Sequence, residues 1–234
     1  MLGIIGAMES EIRLLLGKMQ EVQQKNYGRM AFYLGKIEGQ DIVLMKSGIG
    51  KVAAAIGAQV MIDRFGVSGL VNTGIAGGVG KGLCVGDIVV GSFAVQYDFD
   101  MSALGYVPGY MDGEEEDRPT RYMADEKLKK EFLKAAEKVM PAGHIHEGGI
   151  ATGDRFASDA ELGRRLREDF SCLAVEMEGG AIAQTAVQNQ VPFVLVRSIS
   201  DLADEQASAS VEQFEQFAAD RSAQILVELL KARR

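Results

Sequence analysis

The sequence predicts an α/β domain with a central, largely buried mixed sheet flanked by helices. Three observations lead there. Short apolar runs ended by glycine or turn residues alternate along the chain with segments of helical periodicity. One pair of runs, Ala31 to Ile37 and Asp41 to Lys46, flanks the turn signal Glu38-Gly39, so a hairpin joins an otherwise parallel arrangement. No linker, low-complexity tract or internal repeat divides the 234 residues, so residues 1–234 are read as a single domain.

The elements follow in order. Leu2-Gly-Ile-Ile-Gly6 is a strand, and Glu9 to Met19 a helix with Ile12, Leu15, Leu16 and Met19 on one face. After the hairpin, Gly48-Ile-Gly50 opens an alanine-rich helix from Lys51 to Arg64. Gly69 to Thr73 is a buried strand ending in the glycine-rich loop Gly74 to Gly80, and Asp87 to Gln96 is a further strand. Between Asp98 and Tyr122 the periodicity fails among glycine, proline and the acidic run Glu114-Glu115-Glu116-Asp117, which marks a long loop. Glu126 to Val139 is an amphipathic helix, Glu147 to Thr152 a strand, Asp159 to Glu168 a helix and Leu173 to Val175 a short buried strand. Gly179 to Asn189 is a helix, Pro192 to Ser198 a strand and Val211 to Leu230 the closing helix.

Composition narrows the function classes. A net charge of −8 disfavours a long nucleic-acid interface, which gains affinity by neutralising phosphates with Lys and Arg. The basic end Lys231-Ala-Arg-Arg234 suits a solvated helix terminus. No tract of about 20 apolar residues is present to span a membrane, and the opening MLGIIGAMESE is too short and acidic for a signal peptide. With Cys84 and Cys172 outside any CxxC pair, the expected location is the cytoplasm. His144 and His146 read as part of a connection entering a strand, and no metal site is expected there.

The polar residues fall in a pattern. Ligands in open α/β sheets bind beyond the carboxyl ends of the strands. Glu9 and Glu11 follow the first strand, Gly74 to Gly80 follow Asn72-Thr73, Glu176 and Glu178 follow Leu173-Ala-Val175, and Asp201 follows Pro192 to Val196 after Arg197 and Ser198. Each has a structural reading as well. Glu9 and Glu11 suit a helix dipole, Glu176 or Glu178 can pair with Arg197 to hold the fold, Asp201 can cap a turn, and the glycines can serve a tight bend. Together the four segments point to a carboxylate-lined site. Nucleotide loops fit poorly: Gly3-Ile-Ile-Gly6 lacks a third glycine, Gly74-Ile-Ala-Gly-Gly78 lacks a following Lys-Ser/Thr, and Ser47-Gly-Ile-Gly-Lys51 is too short.

The segments Gly3-Ile-Ile-Gly-Ala-Met-Glu-Ser-Glu11, Ser47-Gly-Ile-Gly-Lys-Val-Ala-Ala-Ala55, Asn72-Thr-Gly-Ile-Ala-Gly77, Ala174-Val-Glu-Met-Glu178 and Val196-Arg-Ser-Ile-Ser-Asp201 carry a resemblance. In order and spacing they resemble the 5′-methylthioadenosine/S-adenosylhomocysteine nucleosidases of the purine nucleoside phosphorylase and uridine phosphorylase superfamily. The resemblance runs from about residue 2 to residue 231 and implies a three-layer nucleoside phosphorylase-like fold. It implies hydrolysis of adenine thionucleosides to adenine and a 5-thio-substituted ribose, in methionine salvage, by a homodimer with no metal or organic cofactor.

By the same resemblance, Asp201 is the acid at adenine N7 and Glu11 the base or orienting group for water attacking C1′. Glu178 partners the ribose hydroxyls, and Arg197 is the cation near the water. Met177 lines the ribose face, with Glu176 beside it. Phe156 stacks on adenine and Ala157 bonds it through the backbone. Met8, Ile49, Met101 and Leu104 supply apolar contacts, some to the 5′ substituent, and Ala76, Gly77 and Ser200 complete the pocket. Asp154 orders a loop. Two positions depart from the family pattern. Ile75 stands where a serine is common, and Val211 where a phenylalanine is common, with Phe214 three residues on; both bear on rate and on the preferred 5′ group. The other readings are hydrolysis of futalosine or aminodeoxyfutalosine, phosphorolysis, and a non-catalytic nucleoside-binding module.

Overall fold

The computed structural model describes residues 1–111 and 116–233. Glu114 and Glu115 of the acidic run, and Arg234 of the basic end, lie outside the described residues.

The chain begins with β1 (Leu2–Gly6), α1 (Glu9–Lys18), β2 (Gln20–Tyr27), β3 (Met30–Ile37), β4 (Gln40–Lys46) and α2 (Lys51–Phe65). It continues through β5 (Leu70–Gly78), β6 (Ile88–Gln96), β7 (Tyr122–Met123), α3 (Glu126–Ala136), β8 (Ile145–Thr152) and α4 (Ala160–Glu168). The last elements are β9 (Cys172–Glu176), α5 (Gly179–Gln188), β10 (Phe193–Asp201) and α6 (Ala207–Ala232). Short 3₁₀ turns cover Ser102–Leu104 and Ala142–His144.

The ten strands of the described residues join one mixed sheet in the order β10-β6-β8-β9-β5-β1-β4-β3-β2, with β7 added to β6. β1 lies parallel to β4 and β5, and β5 parallel to β10. β3 runs antiparallel to β2 and β4. Because β10 pairs with both β5 and β6, strands β10, β6, β8, β9 and β5 close on themselves.

Side chains alternate across the pleat, so each buried strand feeds two cores. Ile4, Val71, Val194 and Val196 pack with Ile12, Leu15, Phe132 and Leu226, under α1, α3 and α6. Their neighbours Ile5, Leu70, Phe193 and Leu195 pack with Ala58, Met61 and Ile182, under α2 and α5. A third cluster sets Leu162 and Leu166 of α4 against Val95, Ala151 and Val175.

The order of elements follows the sequence reading, but β7 is an added strand at the end of the expected loop, α6 starts at Ala207 and not at Val211, and three further differences stand out. β2 has no apolar alternation because it is an edge strand, exposed except at Tyr27, held by backbone pairing to β3. Gly74 to Gly78 are not a loop but the continuation of β5, since their backbone pairs with β10 from Gly74 to Gly77 and with β9 at Gly77 and Gly78. β10 likewise runs on to Asp201, with a register shift between Ile199 and Asp201. His144 and His146 do stand at the entry to β8, where both rings bond the buried Asp87 at 2.8 and 3.0 Å. Among the described residues no group of three or more His, Cys, Asp or Glu could hold a metal ion. No helix among them is long and apolar enough to cross a membrane.

Candidate active site

The ends of β1, β5, β9 and β10 surround a cavity of about 210 Å³. Glu11 reaches it from the first turn of α1. Its position in that turn lets the carboxylate fold back onto the free amides at the helix start. Oε2 accepts from Ala7 N at 2.6 Å and Met8 N at 3.1 Å, and Oε1 accepts from Ile75 N at 2.9 Å. Burial raises the Glu11 pKa above its ordinary value, against the opposing pull of Arg197 and these amides. Glu9 is exposed and pairs with Lys46 at 3.0 Å, the structural role open to a first-turn acid.

Asp201 enters from the last residue of β10. Its Oδ2 accepts from Ser200 Oγ at 2.8 Å and its Oδ1 from Ala203 N at 2.9 Å. Its pKa is also raised, first by burial, with those two donors opposing. Glu178, just before α5, accepts from Gly50 N at 2.8 Å. Burial and then the charge of Glu176 push its pKa to about 8.

Glu176 behaves differently from its neighbour. Its Oε2 accepts from Arg197 Nη2, Glu178 N and Gly179 N, and its Oε1 from Thr152 Oγ1. Arg197 is buried, with Nη1 donating to Val196 O and Nη2 also to Asn72 Oδ1. Asn72 in turn donates to Ile5 O at 2.9 Å. The guanidinium thus lies beneath the cavity, tying β5, β9 and β10 together. A buried cation is tolerable only with such partners. Burial opposes its charge, and Glu176, Glu11 and Glu178 together raise its pKa.

Met8, Glu11, Ile49, Ile75, Ala76, Gly77, Phe156, Glu176, Met177, Glu178, Ser200, Asp201 and Val211 all line the cavity, together with Ala7 and Val175. Ala157 lines a smaller adjoining cleft with Phe156 and Asp201. Met101, Leu104 and Phe214 line neither. Leu104 is 74% exposed in its 3₁₀ turn, and Phe214 is half-buried on α6 beyond Val211. Asp154 accepts from Lys51 N, and its own amide donates to Asp98, which also pairs with Lys51 Nζ, so it orders the rim as expected.

The family described as the phosphorylase superfamily matches residues 1–231. The chain is 42% identical over 228 residues to a 5′-methylthioadenosine/S-adenosylhomocysteine nucleosidase of Geobacillus thermodenitrificans, covering 97% of this chain and 94% of that one. The Neisseria meningitidis nucleosidase solved with methylthio-immucillin-A superposes with a TM-score of 0.91 at 40% identity, over 99% of this chain and 98% of the other. The chain belongs to the 5′-methylthioadenosine/S-adenosylhomocysteine nucleosidase family.

A futalosine hydrolase of Helicobacter pylori shares the fold at 32% identity, with a TM-score of 0.90 over 99% of this chain and 97% of the other. In the nucleosidase described here, no Lys or Arg among the described residues lines this cavity, whose ionisable groups are Glu11, Glu176, Glu178 and Asp201. Such a wall offers no cation to a free phosphate and suits a neutral ligand with hydroxyl and imine groups. Sequence reasoning missed Thr152 and Asn72, which hold Glu176 and Arg197. Their only sequence signal was a polar residue at the end of an apolar strand.

Proposed function

We propose that this enzyme hydrolyses the N-glycosidic bond of 5′-methylthioadenosine and S-adenosylhomocysteine, releasing adenine with 5-methylthioribose or S-ribosylhomocysteine. The observation that carries the mechanism is the meeting of Glu11, Glu178 and Asp201 on one cavity, with no Lys or Arg among the described residues on its wall.

Cleavage of the N9–C1′ bond leaves positive charge on the ribose and negative charge on the base. Asp201, whose burial favours the protonated form, gives a proton to adenine N7 and so improves the leaving group. Glu11 takes a proton from the water that bonds C1′, and Arg197 below it steadies the carboxylate. Glu178 grips the ribose 2′ and 3′ hydroxyls, Phe156 stacks on the base beside Ala157, and Met177 faces the ribose. Met8, Ile49 and Val211 form the apolar end that takes the 5′-thio group. Ile75 supplies no hydroxyl to the water, and its amide serves Glu11 instead.

We read the functional unit as a homodimer. Val52 and Ile56, one turn apart on α2, are 71% and 49% exposed beside the exposed Ile49, an apolar stripe suited to a second copy. Met101 and Leu104, outside the cavity of their own chain, are placed in this reading at the apolar end of the partner's. Two free cysteines suit a reducing compartment, and we place the enzyme in the cytoplasm.

The test is adenine release from 5′-methylthioadenosine with and without phosphate, with the sugar product identified. Free methylthioribose without phosphate is the expected result. Dependence on phosphate with a sugar 1-phosphate overturns it in favour of phosphorolysis, and faster cleavage of futalosine redirects the substrate.

A further inference from the structure

Thr152 is the last residue of β8 and fully buried. Its hydroxyl accepts from Gly180 N at 2.6 Å and donates to Glu176 Oε1. An amide can only donate, so the threonine proton is committed to Glu176 and the direction of the chain is fixed. Close approach is possible because residue 180 is glycine: a Cβ there would fall 2.9 Å from Thr152 Oγ1.

Glu176 has four donors on its two oxygens: Thr152 Oγ1, Glu178 N, Gly179 N and Arg197 Nη2. Although it faces the cavity, its oxygens are engaged by the protein. Between them, Thr152 and Glu176 hold the amides of residues 178, 179 and 180, the turn that presents Glu178. Glu178 makes no side-chain cap to α5, so its own carboxylate does not fix that turn. The carboxylate accepts instead from the Gly50 amide, on the opposite rim.

We infer that Thr152 is a positioning residue for sugar recognition: by orienting Glu176 and the Gly180 amide, it sets where the Glu178 carboxylate meets the ribose hydroxyls. The inference rests on the reading of Glu178 as the hydroxyl partner. Glu176 is then a second positioning residue, acting through the Glu178 backbone, and not a ligand of the substrate.

The test is steady-state adenine release from 5′-methylthioadenosine and from its 3′-deoxy analogue by the wild type, Thr152→Val, Thr152→Ser and Glu178→Gln. Thr152→Val removes both hydrogen bonds of the hydroxyl and is expected to lower kcat/KM on methylthioadenosine about tenfold, mostly through KM. On the 3′-deoxy analogue the loss shrinks to less than about threefold, and Thr152→Ser restores both values to within about threefold. Equal losses on the two substrates for Thr152→Val, with the Glu178→Gln loss larger on methylthioadenosine than on the 3′-deoxy analogue, overturn the positioning role and leave Thr152 a general support of the fold. A Glu178→Gln loss of equal size on the two substrates overturns the reading of Glu178, and the inference with it. Thr152→Cys, which keeps the volume and weakens both hydrogen bonds, gives the same contrast if the valine variant does not fold.

Discussion

The Ile75 amide donates to Glu11 Oε1 at 2.9 Å, joining residues 64 positions apart in sequence. The contact needs the preceding residue to be glycine, since a Cβ on Gly74 would lie 2.2 Å from that same oxygen. Gly74→Ala therefore pushes the carboxylate off its amides. We expect a loss of about 1–3 kcal/mol in stability from overpacking, with a fall in kcat. Urea denaturation beside adenine-release assays checks both, and an active, equally stable variant refutes the placement of Glu11.

Asp201→Asn keeps the shape of the side chain and removes its transferable proton. Adenine release should fall by about 10²–10⁴ fold, the usual worth of general acid catalysis. Binding of 5′-methylthioadenosine, followed by calorimetry, should persist. Wild-type turnover in the variant would exclude Asp201 as the acid.

The pH–rate profile should be bell-shaped. Glu11 acts deprotonated, so activity rises with pH through a pKa that burial has raised above 4.5. Asp201 acts protonated, so activity falls as pH rises through its own pKa, raised above 3.8. Asp201→Asn should flatten the alkaline limb of whatever activity remains, and a limb unchanged in that variant would belong to another group.

Stability has its own pH dependence at Glu178. The pKa rises from 4.5 to about 8 on folding, so the folded state binds the proton more tightly. The stabilisation linked to that proton is full below pH 4.5 and is lost as pH rises to about 8. Glu178→Gln has no proton to lose, so its Tm should decline less than that of the wild type between pH 5 and 8. Parallel Tm curves would contradict the assigned shift.

Dimer formation is testable on α2. Val52→Asp puts a charge on a residue that is 71% exposed in the single chain, so the fold should tolerate it. Sedimentation velocity should show dimer for the wild type and monomer for the variant. Adenine release should fall with the dimer, since Met101 and Leu104 would no longer reach a neighbouring cavity.

The sequence by itself determined the alternation of strands and helices, the two-sided burial of the central strands and the four segments that meet at the cavity. These are readable because side-chain period and glycine placement are local properties, as in Ile4 and Ile5, which face opposite cores. The tertiary structure alone decided which carboxylates remain available. Glu176 and Glu178 are two residues apart and chemically alike, yet Glu176 is engaged by Thr152, Arg197 and two amides, whereas Glu178 reaches the Gly50 amide across the cavity. It also carried β5 through Gly74 to Gly78, where neighbouring strands supply pairing that local propensity does not predict. The reason is common to these cases: a buried polar group is satisfied by partners that folding brings near. Arg197 and Asn72, 125 positions apart, are such a pair.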